Sequence, residues 1–294
     1  MERGELQRVR EIGRGDEDFP QALRETQRPP ESIFVIGDET ILRLAPNRLV
    51  AIVGTRDASP YGLRVAAALA EAFTKAGVGV VSGLARGIDS AAHRAALEAG
   101  GKTIAVMGTG VDVPYPVGHR RLHAEIAAKG LVLSENEPGS PAGPGCFPRR
   151  NRIIAGLARV TIVVEAPYKS GAINTATQAL EAGRVVAAVP GPIDSPRSAG
   201  ANLLLRDGAQ IIHSIDDALM LYGLSRARKD ESPAPGGVES IIWDALAAGP
   251  APVELLTSRC GLTVRQVLEG IARLELCGMV QQRANGSIER IKIA

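Results

Sequence analysis

The chain has 294 residues, a formal net charge of only +2, and 45% apolar but only 3% aromatic residues. This length suits one large α/β domain with a smaller second one, and the small net charge excludes a globally basic surface, so that any polyanion site must be a local patch. The three cysteines, Cys146, Cys260 and Cys277, fit neither a disulfide framework nor a zinc spacing. With the polar N-terminus and the lack of a long apolar run, they predict a cytoplasmic protein without a membrane segment.

Residues 1 to about 30 mix charges of both signs with glycine and proline and contain few apolar side chains. We interpret residues 1–45 as a short N-terminal segment that ends with an edge strand over residues 32–36. Its composition is too polar for an independent core.

From residue 49 onward, short apolar runs alternate with amphipathic stretches. The amphipathic stretches predict helices, such as the one over residues 63–75. The last strand–helix unit is predicted at residues 203–205 and 211–212, followed by a helix near residues 216–222. This alternation predicts a doubly wound, mainly parallel sheet over residues 46–225. Buried strands are predicted at residues 50–53, 78–81, 103–107, 131–133, 160–164 and 185–189.

The composition changes at residues 226–237, which are rich in charge, proline and glycine and predict a linker. Beyond it, the pattern predicts three helices and then a hairpin around Asn285 and Gly286, a strong turn dipeptide. Three helices and a hairpin predict a small winged-helix domain over residues 238–294.

The charges of this C-terminal domain are balanced, with six basic and six acidic residues from position 238 onward. The second helix of its predicted helix-turn-helix motif contains Arg265, Glu269 and Arg273. Each is four residues from the next, a spacing at which their side chains pair with each other. A helix that reads the major groove usually shows a basic face. We therefore expect this domain not to be the main nucleic-acid reader of the chain.

Residues 82–93 form a predicted corner between a strand and a helix, and this corner contains Gly83, Arg86 and Gly87. Glycine lets the backbone approach a ligand closely, and the first N–H groups of a helix lack internal partners, so such a corner favours phosphate. Similar corners follow other predicted strands, at residues 54–56, 108–110, 170–171 and 190–191. Because the carboxyl ends of parallel strands share one edge, these corners predict a phosphate-lined groove.

A cluster of three arginines, Arg149, Arg150 and Arg152, follows Phe147 in the sequence. Arginines beside an aromatic ring are typical of a groove for single-stranded nucleic acid, in which a base stacks on the ring while the cations follow the backbone. A surface helix with a core phenylalanine is the alternative. No dinucleotide fingerprint follows the first strand, and the Gly101-Lys102-Thr103 stretch precedes a strand instead of opening a helix, which disfavours ATP.

The order of these motifs resembles that of the DNA-processing protein A family (DprA, also called Smf), over residues 32–222. The resemblance implies an extended Rossmann-type domain that binds single-stranded DNA, forms a homodimer and loads RecA recombinase during natural transformation, without catalysis. It also makes residues 1–45 the remnant of a helical domain. The motifs are residues 51–56, residues 82–89 with His93, Tyr115-Pro116, Phe147-Pro148 with residues 150–152, Ser170-Gly171 with Thr175-Ala176, and Pro190-Gly191.

Many relatives carry a lysine after the Tyr-Pro pair, whereas this chain has Arg120 and Arg121 slightly later, which we take as replacements. No metal, cofactor or catalytic residue is expected. The DNA-binding residues predicted from the motifs and corners are Gly54, Thr55, Arg56, Ser82, Gly83, Arg86, Gly87, Arg120, Arg121, Phe147, Arg149, Arg150, Asn151, Arg152, Lys169, Ser170 and Gly171.

Two other function classes remain open at this stage. The same fold resembles nucleotide phosphoribohydrolases of the lysine-decarboxylase-like group, although Gln178 stands where their motif has a glutamate. A transcription regulator that acts through the winged helix is the other class. For the homodimer, the apolar residues between positions 210 and 222 predict the contact, namely Ile211, Ile212, Leu219, Met220 and Leu221.

Overall fold

The computed structural model describes residues 8–224, 237–276, 279–283 and 286–291. The chain divides into two units, Met1–Arg226 and Ala227–Ala294. The predicted linker at residues 226–237 lies outside the described residues except for its last residue. Cys277, and Asn285 of the predicted hairpin turn, also lie outside them. The domain boundaries drawn from the sequence stay a prediction.

The described part of the first unit contains one sheet of nine strands. They are β1 (Arg10–Gly13), β2 (Ser32–Gly37), β3 (Leu49–Val53), β4 (Gly79–Ser82), β5 (Thr103–Met107), β6 (Leu131–Ser134), β7 (Val160–Val163), β8 (Val185–Ala188) and β9 (Gln210–Ile211). Their order across the sheet is β1-β2-β6-β5-β4-β3-β7-β8-β9. Every pair from β6 to β9 is parallel, whereas β2 is antiparallel to both β1 and β6. The mainly parallel sheet is therefore confirmed.

Helices connect most of these strands. They are α1 (Gln21–Arg24), α2 (Pro60–Lys75), α3 (Ile88–Glu98), α4 (Arg120–Lys129), α5 (Cys146–Leu157), α6 (Gly171–Glu181), α7 (Ala199–Arg206) and α8 (Ile215–Met220). Short 3₁₀ turns lie at Glu39–Arg43, Pro46–Arg48 and Val117–His119. None of the described helices has the length and hydropathy needed to cross a membrane.

The sheet is covered on both faces, and β3 shows why its strands are apolar throughout. Successive side chains of a strand point to opposite faces. Val50 and Ile52 accordingly join the core that includes residues of α2 and α3, whereas Ala51 and Val53 join the core that includes residues of α5 and α6. This two-sided burial leaves only the ends of the strands to carry polar side chains.

The prediction of an edge strand over residues 32–36 is wrong, because β1 pairs with β2 and covers that side. Arg10 lies opposite Val35, and Gly13 lies opposite Ser32. Ile12 and Phe19 join the same buried cluster as Val35. The described part of the N-terminal segment is thus built into the sheet, and its single α-helix, α1, has four residues. Only one buried apolar residue in β1 signals that strand in the sequence.

The last βα unit is shorter than expected. Residues 203–205 belong to α7, and β9 comprises only Gln210–Ile211. Helix α8 begins after Ser214, whose hydroxyl accepts a hydrogen bond from the Asp217 N–H while the Asp217 carboxylate accepts one from the Ser214 N–H. This reciprocal capping fixes the start of a six-residue helix.

The second unit contains α9 (Val238–Ala245), a 3₁₀ turn (Leu246–Ala248), α10 (Val253–Cys260) and α11 (Val264–Leu276). β10 (Val280–Gln282) and β11 (Ile288–Arg290) follow and pair antiparallel. One side chain from each helix, Ile242, Leu256 and Val267, joins Val280 in a separate buried cluster. Three helices followed by a two-stranded sheet give the winged-helix arrangement that the sequence predicts.

Candidate nucleic-acid interface

A switch in strand order between β3 and β7 positions the site. These strands are neighbours in the sheet, although β4, β5 and β6 lie between them in the chain. The chain builds outward from β3 on one side and then returns to add β7 on the other. In an open parallel sheet, such a switch leaves a crevice beyond the carboxyl ends of the two strands, where ligands bind.

Two pockets that share lining residues open at this edge of the sheet. The first pocket has a volume of about 600 Å³, and the second, at the strand switch, has about 420 Å³. The first pocket is lined by Arg56, Gly83, Ala85, Arg86, Arg94, Met107, Gly108, Tyr115, Pro116, Gly118, His119, Phe147 and Arg150. The second is lined by residues 53–56, Ala85, Asp89, Phe147, Pro148, Arg150, Asn151, Ile154, Pro167, residues 170–172 and Thr175.

Phe147 and Arg56 line both pockets and form the ridge between them. The Arg56 guanidinium lies 5.5 Å from the centroid of the Phe147 ring. On the side of the first pocket, the Tyr115 ring lies 5.0 Å from the Phe147 ring, centroid to centroid, at an interplanar angle of 34°. A Cβ at Gly108 would lie 2.8 Å from the Phe147 ring, so glycine is required there. The half-buried Phe147 ring is thus held in place by its neighbours and lines both pockets.

Arg150 is buried behind this ridge and braces the ends of two strands. Its Nη1 donates hydrogen bonds to the carbonyl oxygens of Gly83, at 2.9 Å, and of Val106. A Cβ at position 83 would lie 2.6 Å from Nη2 of Arg150, so only glycine permits this approach. No described group accepts from Nη2, and the residue lines both pockets. Arg150 therefore holds the corner with one side of its guanidinium and presents the other to a ligand.

The corner after β4 differs from the sequence-based expectation, because two of its N–H groups are already bonded within the protein. The Gly83 and Ala85 N–H groups donate to Oδ2 of Asp89, at 3.0 and 3.4 Å. Ser82 is fully buried and donates its hydroxyl to the Ile52 carbonyl oxygen. Ser82 therefore supports the corner from inside, and the side chain of this corner that carries positive charge at the first pocket is Arg86.

Burial opposes the charge on both Asp89 and Arg150. It raises the pKa of Asp89 and lowers the pKa of Arg150 to about 10, while the attraction between the two charges counteracts both shifts. Arg150 remains protonated at neutral pH. Since an unpartnered buried charge is costly, each of these groups depends on the other.

Three cations without a carboxylate partner in the described part of the chain line the first pocket. Arg56, Arg86 and Arg94 line it, and within the described ranges none of them forms an ion pair with a carboxylate. Two other surface arginines of the unit, Arg10 and Arg197, are paired with acids. Unpaired arginines around one cavity create a local positive field although the whole chain is nearly neutral.

Several predicted DNA-binding residues lie outside the two pockets. Arg152 bonds to Glu135 and to the Arg28 carbonyl oxygen, and Arg149 bonds to Asn136 and pairs with Glu135 at 3.4 Å. These two side chains are therefore directed to Glu135 and not to the groove. The others that line neither pocket are Ser82, Gly87, Arg120, Arg121 and Lys169.

The remaining predicted residues line at least one pocket. Asn151 is buried and donates to the Gly171 carbonyl oxygen and to Asn174, which ties α5 to α6. Thr55 is also buried, and its hydroxyl accepts from the Asp57 N–H. The full set is Gly54, Thr55, Arg56, Gly83, Arg86, Phe147, Arg150, Asn151, Ser170 and Gly171. The assignment of DNA contacts to these residues stays a prediction.

Three side chains of the first pocket, Arg94, Tyr115 and His119, are absent from the predicted DNA-binding set, although Tyr115 belongs to one of the motifs. Arg94 lies two helical turns after Gly87, so its position on the face of α3 nearest the corner was a detectable signal. His119 and His123 are four residues apart, a spacing at which two histidines can bind one metal ion. His119 instead donates to the Leu84 carbonyl oxygen and His123 to that of Val111. Within the described ranges, no group of three or more metal-ligating residues is present.

In the second unit, basic side chains are engaged within the unit. Arg265 pairs with Glu269 at 2.9 Å, and Arg273 pairs with Glu239 at 2.7 Å. Arg290 lies 4.3 Å from the centroid of the Trp243 ring and donates to the Trp243 carbonyl oxygen. Of the pairing expected within α11, Arg265 with Glu269 is therefore present, whereas Arg273 pairs instead with Glu239 of α9.

Comparison with known families decides the classification. The family model for DNA recombination-mediator protein A matches residues 10–223, and that for the DprA winged helix domain matches residues 226–286. The chain belongs to the DNA recombination-mediator protein A family. The resemblance stated from the motifs is therefore confirmed.

Individual relatives agree with this assignment. The chain is 44% identical over 204 residues to the DNA processing protein DprA of Streptococcus pneumoniae, covering 69% of this chain and 71% of that protein, and 36% identical over 283 residues to protein Smf of Escherichia coli, covering 92% and 75%. A solved structure of the Streptococcus pneumoniae protein has a TM-score of 0.69 at 42% identity, covering 73% of this chain and 74% of that one. A structure of DNA processing protein A from Helicobacter pylori, which addresses its single-stranded DNA binding mode, has a TM-score of 0.67 at 31% identity, covering 74% and 98%.

We predict that Arg56→Ala and Arg149→Ala differ in their effect on binding of single-stranded DNA. Loss of an unpaired cation on the ridge removes a charge-assisted phosphate contact and weakens binding about tenfold. Arg149→Ala weakens it less than about twofold, because Arg149 already pairs with Glu135. Fluorescence anisotropy with a labelled dT oligonucleotide measures both. Equal losses would place Arg149 in the groove.

We predict that Arg150→Ala lowers the free energy of unfolding by about 3–5 kcal/mol, because it leaves two buried carbonyl groups without their donor and removes the positive charge that offsets the buried Asp89 carboxylate. A carboxyl group whose pKa is raised by folding stabilises the native state when it is protonated. The deficit therefore shrinks as the pH falls from 7 toward 4. Urea unfolding at several pH values measures this, and Asp89→Asn in the same background restores part of the stability. A deficit independent of pH would contradict this account.

Proposed function

We propose that the chain binds single-stranded DNA without sequence preference along the edge that carries the two pockets. The observation that carries this proposal is the ridge of Phe147 and Arg56 between two pockets, with further unpaired arginines in the first. An aromatic ring stacks on any base, and arginines follow the phosphates, so this combination favours single strands of any sequence. The structure of the relative from Helicobacter pylori addresses the single-stranded DNA binding mode of that protein, which supports the proposal that this chain binds single strands.

The preference for single strands has a physical reason. Phe147 is packed on one side by Tyr115 and half-buried, so a base reaches it only when it is free of its own stacking partners. Bases of a duplex are already stacked and paired, and unstacking one costs a few kcal/mol. We propose that the pockets take unpaired nucleotides and exclude intact duplex.

We propose further that the bound strand is protected and passed to RecA recombinase during natural transformation. Membership of the DNA recombination-mediator protein A family supports this step.

We propose binding without catalysis. Gln178, which replaces the glutamate of the phosphoribohydrolase motif, donates to Glu181 and does not line either of the two pockets. For the second unit, the charge pairs on α11 support a role other than reading DNA, in contrast to a transcription regulator.

A salt titration tests the proposed binding activity. We predict that dT oligonucleotides bind more tightly than duplex of the same length, and that the logarithm of the affinity falls linearly with the logarithm of the salt concentration, because phosphate contacts release counterions. Gel shift and anisotropy measure both quantities. Equal affinity for duplex, or an affinity insensitive to salt, would sink the proposal.

Two control arms belong to the same experiment. A fragment of residues 1–235, checked for folding by circular dichroism, retains most of the affinity if the first unit is the reader. A loss of tenfold or more by a folded fragment would assign DNA binding to the winged helix. Incubation with nucleoside monophosphates addresses the enzyme class, and release of free base would overturn the proposed absence of catalysis.

We propose a homodimer that uses the free edge at β9. Ile212 and Leu219 are buried in the core of the unit and are therefore not available for a contact, whereas Ile211 and Met220 are 56% and 66% exposed. β9 is the last strand of the sheet, and an exposed strand edge with apolar neighbours favours pairing with another chain.

Substitution of exposed apolar residues tests this contact. We predict a dimeric mass by light scattering at micromolar concentration and a shift toward monomer for Met220→Asp, because a carboxylate buried in an interface lacks a partner. Ile193→Asp is the matched control, since Ile193 is 99% exposed and lies in the loop after β8. A monomeric wild type, or equal effects of the two substitutions, would refute the contact.

A further inference from the structure

Exposed tyrosines are concentrated at the carboxyl edge of the sheet. The chain has only four tyrosines, and three of them, Tyr61, Tyr115 and Tyr168, lie in or just after loops at this edge. Tyr115 is explained by its packing on Phe147. Tyr168, in the loop between β7 and α6, is the most exposed of the three at 62%. Its exposure has no explanation in the folding of this chain.

The residue after Tyr168 has an unusual backbone conformation. Lys169 has a φ of +58°, and the only other non-glycine residue with positive φ in the described ranges is Leu84, in the corner of the first pocket. Leu84 is fully buried, and its carbonyl oxygen accepts from His119, which accounts for its conformation. Lys169 is exposed and has no comparable support. Backbone strain that the local packing does not explain is typical of ligand-binding segments.

This loop continues directly from the second pocket. Pro167 and Ser170, which flank Tyr168 and Lys169 in the chain, both line that pocket. The Lys169 ammonium group lies 5.7 Å from the centroid of the Tyr168 ring. The ridge between the pockets has the same composition, with the Arg56 guanidinium 5.5 Å from the Phe147 ring. The edge therefore repeats one arrangement, an aromatic ring with a cation beside it.

We propose that Tyr168 is a second aromatic side chain on which a base of single-stranded DNA stacks. The bound DNA reaches Tyr168 where it leaves the second pocket. A base stacks on the exposed ring, and Lys169 contacts an adjacent phosphate, independently of base identity. This inference rests on the single-stranded DNA binding proposed above. It extends the binding surface from the two pockets to the loop between β7 and α6.

Tyr61 provides a matched comparison within the chain. It is 42% exposed and lies at the same edge, but it lines a separate pocket of about 480 Å³ together with Glu165. The Glu165 carboxylate accepts from the N–H and hydroxyl of Ser59, and no cation is among the residues that line this pocket. A carboxylate without a neighbouring cation repels phosphate, so we expect the bound DNA not to pass over Tyr61.

The test compares Tyr168→Ala, Tyr168→Phe and Tyr61→Ala in the full chain, by anisotropy with labelled dT oligonucleotides of increasing length. We expect Tyr168→Ala to weaken binding about tenfold on long oligonucleotides and less on those too short to reach beyond the pockets. Tyr168→Phe keeps the ring and stays within about twofold of the wild type. Tyr61→Ala binds like the wild type. A Tyr168→Ala protein that binds every length like the wild type would overturn the inference.

Lys169→Gly separates a binding role from a structural one. Glycine adopts positive φ without strain, so the melting temperature stays equal or rises, while affinity falls and the salt slope decreases by about one. Unchanged affinity and slope would overturn the role of Lys169. Arg56→Ala, measured in parallel, distinguishes a failure of this inference from a failure of the proposed function. If Arg56→Ala weakens binding while the Tyr168 and Lys169 variants do not, only the inference about Tyr168 and Lys169 fails. A wild type without affinity for dT overturns the proposed function as well.

Discussion

The Arg150 guanidinium holds together the ends of β4 and β5, and the geometry of both pockets depends on it. It donates to carbonyl oxygens from two different strands, Gly83 after β4 and Val106 in β5. Gly83 is also bound from its N–H side by Asp89. A buried cation is tolerated only with such partners, and the absence of a side chain at Gly83 lets it approach. The corner is therefore rigid before any ligand arrives.

Strand order brings distant parts of the chain to this corner. Arg56 follows β3, Phe147 begins α5, and Ser170 caps α6 after β7, yet all three line the second pocket. The switch between β3 and β7 places these loops side by side, because both strands end at the same edge. For the proposed binding of single-stranded DNA, a site whose groups are already held in place by hydrogen bonds needs little reordering, which limits the entropic cost of association.

Much of this site was accessible from the sequence. Phe147 and Arg150 were singled out because an aromatic followed by arginines is uncommon in a chain with 3% aromatic residues. The corners after β3, β4 and β7 were recognised from glycine and hydroxyl residues at the ends of apolar runs. Arg149 and Arg152, however, look equivalent to Arg150 in the sequence. Only their contacts with Glu135 show that they are directed elsewhere. The position of β1 was also not predicted, because its burial depends on pairing with β2 and not on its own pattern.

The sequence by itself determined the fold class, the family and the edge of the sheet at which the two pockets open. These properties follow from local patterns: apolar runs buried on both faces, glycines at corners and motifs in a fixed order. The tertiary structure decided which charged groups are free to bind a ligand. Arg56, Arg86 and Arg94 line a pocket unpaired, whereas Arg152 is used by Glu135 and Arg150 is half engaged as a brace. The availability of a charge depends on distances to groups far away in the chain, and those distances exist only once the sheet has formed.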